Sequence, residues 1–331
     1  MRIFVTGATG YIGTALVHRL VEEGHEVRAL VRESSDVEAL DALGVTTFVG
    51  DVSERVSMRE GMSGADWVIH AAAVVDFRST AEAMARVNVD GSENVASLAH
   101  KLGVGRFLSL STIAFFGGSA PDGTPSTEES PVQKPLPSAY SRTKHEGELR
   151  IRAWAARGLA LNTVYPSLVY GPPGKRTGAN ALLGAFLRGR FPILIGGDRK
   201  TSWVYIADVV DGIARVIGQA EVGRDYLLSG DVATVRDVVR SVCEMGGVAA
   251  PRRELSVRGA RWLVRLLAPL MRLFGRKIPV NREQLDNLAR HWAFDDARAR
   301  RELGWSPRPL AEGLRDTVPF LQVAAAGREA A

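Results

Sequence analysis

The sequence predicts an α/β protein: a doubly wound parallel sheet with a smaller, mostly C-terminal lobe. Two observations carry this. Short apolar runs alternate with longer amphipathic stretches through residue 166, the pattern of repeated strand–helix units. The runs are also apolar throughout, as in Trp67-Val68-Ile69, and a strand without polar alternation is one covered on both faces. Candidate strands are Arg2–Thr6, Glu26–Val31, Thr46–Val49, Trp67–Ala71, Arg106–Ser111 and Leu161–Tyr165. Candidate helices lie near 11–23, 35–43, 54–62, 81–102 and 139–157, with another near 295–303.

Residues 1–170 form the predicted sheet domain, with segments near 201–230 returning to it. Residues 171–323 are mainly the lobe, which opens at Pro172-Pro173-Gly174, and the Ala-rich tail 324–331 is expected to fray. The segment Gly117–Pro137 holds five prolines and reads as a long surface loop beside a site. The 331 residues suffice for one large domain or two that share a core, and 46% hydrophobic with 24% charged residues is a globular composition. A net charge of +5 is modest and scattered outside 252–276. No nucleic-acid-binding signature accompanies it, so such a partner is not implied. Cys243 is the single cysteine, which excludes an intramolecular disulfide and a thiolate cluster; the histidines show no metal spacing, so no metal is expected. A reducing cytoplasm fits this usage, and the N-terminus lacks the pattern of a signal peptide. No charge-free apolar run reaches the roughly 18–20 residues of a membrane span.

The first strand leads into Thr6-Gly7-Ala8-Thr9-Gly10-Tyr11-Ile12-Gly13 and then a helix pattern. Glycines at 7, 10 and 13 permit a tight turn, close approach of backbone amides to a pyrophosphate, and close helix–strand packing. Gly7, Thr9, Gly10, Tyr11, Ile12 and Gly13 are therefore candidate cofactor-binding residues of a Rossmann-type dinucleotide site. An NAD site normally ends its second strand in a carboxylate for the ribose 2′-hydroxyl. Here Leu30-Val31 has none, and Arg32 stands where a 2′-phosphate would need a cation. NADP is favoured, with NAD as the alternative because Glu33 follows closely. Asp51-Val52 follows the third strand: Asp51 either meets the adenine amino group or caps the helix that follows. Ala71, Ala72 and Ala73 after the fourth strand are small enough to let a cofactor lie across the strand ends.

The fifth strand ends in Ser111-Thr112, and Tyr140-Ser141-Arg142-Thr143-Lys144 comes later on a helix. Tyr140 and Lys144, at i and i+4, share one helix face. A phenol titrates near 10, and a neighbouring ammonium lowers that value by stabilising the phenolate. The pair can thus exchange a proton with a carbonyl oxygen, while a hydroxyl of Thr112 or Ser111 holds that oxygen.

These motifs, in this order, identify a resemblance to the extended short-chain dehydrogenase/reductases, which include sugar-nucleotide epimerases, dehydratases, dihydroflavonol reductases and 3β-hydroxysteroid dehydrogenases. The matching elements are Thr6–Gly13, Asp51-Val52, His70–Ala73, Asn88–Gly91, Ser111-Thr112, Tyr140–Lys144, Tyr165–Pro172, Trp203–Asp208 and Leu303–Pro307. The resemblance implies that Asn88 supports the lysine through water and backbone, that Thr112 rather than Ser111 is the catalytic hydroxyl, and that Pro166, Ser167 and Val169 contact the nicotinamide side. Tyr140 and Lys144 would touch the cofactor as well. Tyr165 departs from the arginine that many sugar-nucleotide members carry there. It also implies a homodimer, with the helices near 88–102 and 139–157 pairing.

Related dehydratases carry Thr-Asp-Glu where this chain has Thr112-Ile113-Ala114, which argues against elimination. The expected activity is NADP-dependent reduction of a ketone or aldehyde, or oxidation of the matching alcohol, on a lipophilic or aromatic small molecule. An NAD-dependent sugar-nucleotide epimerase is the alternative, and a non-catalytic NADP-binding sensor ranks last. Two features suggest the lipophilic substrate. Phe77, Phe115 and Phe116 are expected near the site, and 257–274 mixes Trp262, Leu263, Leu266, Leu267 and Phe274 with four arginines. For 257–274, a partly buried helix of the lobe, with a lid as one role open to it, ranks first, membrane-surface contact second and a partner-binding helix third. Pro269 is expected to kink it. Arg199–Ser202 reads as a solvated loop or a contact for an anionic substrate, and His145 and Glu146 are expected to face outward.

Overall fold

The computed structural model describes residues 1–75, 79–174, 178–273 and 282–326, with the side chains of 268–273 and 324–326 also left aside. The chain runs β1 (Arg2–Thr6), α1 (Tyr11–Glu22), β2 (Glu26–Val31), α2 (Glu38–Asp41), β3 (Thr46–Val49), a 3₁₀ turn and α3 (Arg59–Met62), then β4 (Trp67–His70). Next come α4 (Ala81–Ala85), a π turn (Arg86–Gly91), α5 (Ser92–Lys101), β5 (Arg106–Leu110), a 3₁₀ turn (Ile113–Phe116), α6 (Ala139–Ala155) and β6 (Leu161–Pro166). The seven-stranded sheet has the order β10-β6-β5-β4-β1-β2-β3, where β10 is Asp225–Leu228, and every pairing is parallel. The order reverses between β1 and β4, so the strand ends there open a crevice where an α/β sheet binds its ligand. β4 is buried at every position, as its unbroken apolar run requires.

The lobe opens with β7 (Leu168–Tyr170), α7 (Gly178–Leu187), β8 (Ile193–Ile195) and β9 (Lys200–Tyr205). α8 (Ile206–Gln219) follows and packs beside α1: Leu16, Val17, Leu20, Val209, Ile213 and Val216 lie in one cluster with no exposed surface. Burying each such side chain stabilises the fold by about 1.5–3 kcal/mol. After β10 come β11 (Asp231–Thr234), α9 (Val235–Met245), β12 (Arg253–Leu255), α10 (Val257–Leu273), α11 (Arg282–Leu288), α12 (Ala297–Leu303) and α13 (Leu310–Ala326). β9 lies between β7, parallel to it, and β11, antiparallel. Trp305 joins the α1–α8 cluster and donates its indole N–H to the Asp208 carbonyl at 2.7 Å.

Several expectations change. The helix predicted over 81–102 is interrupted by the π turn at 86–91, an insertion that a hydrophobic period does not reveal. Segment 117–137 is a surface loop, as expected, but an anchored one. Gly117, Ser119 and Ser126 are buried, and Arg290 donates to the carbonyls of Gly117 at 2.6 Å and Gln133 at 3.2 Å. Arg199–Ser202 is no solvated loop, because Lys200 begins β9 and Thr201 and Ser202 are buried. α10 is partly buried, along Val257 and Ala260, but its outer face is open: Trp262 is 75% exposed and Leu266 68%. It continues past Pro269 to Leu273. α13 runs to Ala326, so the tail's first residues extend a helix, and 327–331 lie outside the described residues.

Candidate active site

The glycine turn fits a dinucleotide sterically. Gly7 has φ +77°, and a Cβ there would meet the Ala72 nitrogen at 2.6 Å; at Gly13 a Cβ would lie 2.0 Å from the Gly7 carbonyl oxygen. Gly10 caps α1 without a side-chain bond, which leaves first-turn amides for an anion. Thr9 and Gly10 are exposed, and Tyr11, Ile12 and Ala71–Ala73 are half-buried along the same strand ends. The residues present thus fit the pyrophosphate of a nicotinamide dinucleotide.

At the far end of β2 and β3 an open cleft of ≈ 590 Å³ is lined by Arg32, Glu33, Ser34, Gly50, Asp51 and Glu54 among others. Arg32 is exposed, and its backbone N–H is turned into the Ser35 hydroxyl at 3.1 Å. Burial pushes the Asp51 carboxyl upward. Hydrogen bonds from the Ser53 N–H (2.8 Å) and hydroxyl (2.7 Å), with the charges of Arg32 and Arg86, outweigh it and hold Asp51 below its usual range. Asp51 therefore orders the turn after β3, and Val52 is buried against Gly91. Arg86, which carries no motif, is a second cation beside this cleft.

The end of β5 gathers the hydroxyls and the Tyr–Lys pair. Thr112 is hydrogen-bonded to the Tyr140 phenol and also accepts from the Ala114 N–H at 3.3 Å. The Lys144 ammonium donates to the Leu110 carbonyl at 3.3 Å. Ser111 is buried, and its hydroxyl finds no partner among the described residues. Ser138 starts α6 by accepting the Ser141 N–H at 3.2 Å, which places Tyr140 in the first turn, over the Thr112 end of β5. Burial of its hydroxyl end pushes the Tyr140 phenol up to about 12, against the bond from Thr112. The expected lowering by Lys144 does not prevail: burial also pushes Lys144 down, opposed by Glu148. The phenol stays protonated at neutral pH, the form that can give a proton.

Pro166 ends β6 opposite Leu228, the Ser167 hydroxyl donates to the Ser229 carbonyl at 2.7 Å, and Val169 pairs with Val204. All three lie at or just past the C-terminal end of β6, the strand next to the β10 edge. Asn88 does not reach Lys144 through its own side chain. Its amide donates to the Val74 carbonyl and the Thr143 hydroxyl, both at 3.1 Å, and accepts the Val74 N–H at 2.8 Å.

Two groups had no role assigned from the sequence. His70 is buried, with Nδ1 at 2.8 Å from the Thr6 hydroxyl and Nε2 at 3.0 Å from that of Ser92, which donates to the Asn88 carbonyl at 2.7 Å. With Ser92 spent as a donor, Nε2 carries the proton and Nδ1 accepts from Thr6. Burial, and then the Lys144 charge, push His70 down to about 3, so it is neutral. Glu148, one turn beyond Lys144, is buried and pushed up by burial, although Arg152 and the hydroxyls of Ser109 (2.8 Å) and Thr163 (2.9 Å) oppose the shift.

Phe115 and Phe116 are not substrate-facing. They pack with Tyr165, Leu227 and Phe294 in a closed aromatic cluster, and Phe77 lies outside the described residues. His145 also turns inward, its Nδ1 at 3.2 Å from the Phe115 carbonyl, whereas Glu146 is exposed.

Comparison with known proteins matches residues 3–229 to the NAD dependent epimerase/dehydratase family. A 4-hydroxy-2-methyl-3-oxo-4-farnesyl-3,4-dihydroquinoline-1-oxide ketoreductase of Stigmatella aurantiaca is 31% identical over 314 residues, 93% of this chain and 92% of that protein. Sterol demethylase protein B of Methylococcus capsulatus is 32% identical over 330 residues, 97% and 98% of the two chains. The crystal structure of gox2253 superposes with a TM-score of 0.84 at 28% identity, covering 97% of this chain and 98% of that one. With its seven-stranded parallel sheet and dinucleotide cradle, the chain belongs to the NAD dependent epimerase/dehydratase family and is an NAD(P)-dependent enzyme of the extended short-chain dehydrogenase/reductase type.

Proposed function

We propose that the protein reduces a ketone or aldehyde of a lipophilic or aromatic small molecule with NADPH, or oxidises the matching secondary alcohol with NADP. The observation that carries this is the Tyr140 phenol, protonated and hydrogen-bonded to Thr112 at the end of β5, with no acid at 113 or 114. Held at the glycine turn, a nicotinamide dinucleotide would supply or take up the hydride at the carbonyl carbon. Thr112 orients the carbonyl oxygen, and Tyr140 gives that oxygen a proton as negative charge develops. Lys144, on the same face of α6, stabilises the phenolate that remains. Reversing each step oxidises the alcohol.

NADP is preferred because Arg32 stands in the cleft at the end of β2, where Val31 offers no carboxylate. The lipophilic substrate draws support from the relatives: a farnesylated quinoline ketoreductase, a sterol demethylase protein and a 2-alkyl-3-oxoalkanoate reductase. A homodimer through α5 and α6 belongs to the same proposal, and gel filtration returning a monomer removes it.

The test is NADPH and NADH oxidation against a panel of aromatic, steroid-like and long-chain ketones. The expected result is NADPH-preferring turnover that falls about 100-fold or more in Tyr140→Phe. Full activity in Tyr140→Phe would refute the mechanism. Tightly retained NAD with no net consumption on any ketone would favour an epimerase instead.

A further inference from the structure

We propose that α10 docks the protein onto the surface of an anionic lipid bilayer. The helix has an inner seam, Val257, Ala260 and Val264, of which the first two are buried. At about 100° per residue, Trp262 and Leu266 fall on the opposite side of the helix, and Leu263 and Leu267 adjoin them. These four side chains are 75%, 68%, 45% and 38% exposed in the order Trp262, Leu266, Leu263, Leu267. These side chains lie in solvent and not against the lobe.

The charges select the occupant. Arg258, Arg261 and Arg265 line one border of the apolar face and are exposed, although Arg261 also pairs with Asp286 at 2.6 Å. From 255 to 282 the sequence has seven Lys or Arg residues and no Asp or Glu. An apolar strip edged by arginines matches the depth profile of a bilayer surface: acyl chains beneath and anionic headgroups at the border. A second copy of the chain fits worse, because a two-fold contact would set the same cationic border against itself. Among the described residues no helix is long and apolar enough to cross a membrane, so α10 lies on the surface.

The docked face also has a bearing on the site. Arg261 ties α10 to α11, and Glu283 of α11 accepts the Ala139 N–H at 3.2 Å, beside Tyr140. Delivery of a lipophilic carbonyl from the bilayer would follow, and that consequence alone rests on the proposed function; docking does not.

Docking is tested by co-sedimentation of the whole protein with phosphatidylcholine vesicles, with and without phosphatidylglycerol. Wild type is expected to pellet with the anionic vesicles and much less with the neutral ones. Arg258→Glu with Arg265→Glu is expected to lower anionic binding about tenfold or more. Trp262→Ser with Leu266→Ser should abolish it. Circular dichroism and NADPH oxidation with a water-soluble ketone should be unchanged in both variants. Absence of wild-type binding, equal binding to neutral vesicles, or wild-type binding by both variants would each overturn the proposal. So would gel filtration in which the Trp262, Leu266 variant dissolves a dimer while wild type ignores vesicles.

Discussion

Gly147 on α6 rests against the main chain of Asn88: a Cβ at 147 would lie 1.9 Å from the Asn88 carbonyl oxygen and 3.2 Å from the Ser92 hydroxyl. That carbonyl already accepts the Ser92 hydroxyl, and the Asn88 side chain holds Thr143 next to Lys144. Gly147→Ala must therefore push the π turn off α6. The expected cost is about 1–3 kcal/mol, read as a lower urea midpoint, with kcat falling more than cofactor affinity. A wild-type midpoint and kcat would show that the two helices are not this close.

His70 makes stability depend on pH. Its folded value is pushed down to about 3, whereas an unfolded histidine titrates near 6.5. The contribution is therefore complete above about pH 6.5 and is lost as pH falls through the window toward 3. Between pH 7.5 and 5 this amounts to about 2 kcal/mol. Urea unfolding at both pH values should show wild type losing that much more than His70→Asn. Equal losses would mean that the imidazole is not held neutral in the fold.

Arg32 should discriminate between the cofactors. Removing a charge-assisted bond to a phosphate costs about 1.5–3 kcal/mol, so Arg32→Ala should raise the KM for NADPH about tenfold or more and leave that for NADH nearly unchanged. A parallel rise for both would show that the side chain does not read the 2′-phosphate. Arg86, the second cation near Asp51, supplies a parallel variant with a smaller expected effect.

The sheet was legible in the sequence because its signals are local. β1, β2 and β3 begin and end where the apolar runs do, and Gly7 and Gly13 stand where backbone contacts exclude a side chain. What was not legible depends on contacts distant in sequence. No period in 81–102 marks the extra residue of the π turn that lets Asn88 reach Val74 and Thr143. Nothing local links His70 to Thr6 and Ser92, 64 and 22 residues away. Phe115 and Phe116 lie close in sequence to Thr112, yet they turn away from it into the cluster under β6. The amphipathic pattern of α10 was also visible. Periodicity defines an apolar face without saying whether it looks into the protein or out of it.

The Tyr11 hydroxyl, from the glycine turn, donates to the Gly171 carbonyl at 2.5 Å, and Asn180 of α7 donates to that same carbonyl at 2.7 Å. The turn that would cradle the pyrophosphate is thus fastened to the first residues of the lobe. Free energy carried through such a joint is reciprocal. Whatever factor the dinucleotide contributed to substrate affinity by steadying Gly171 and Asn180, the substrate would return in full to the dinucleotide. Entropy lost in ordering the joint would be met by whichever ligand arrives first, so the second would bind at a lower entropic cost.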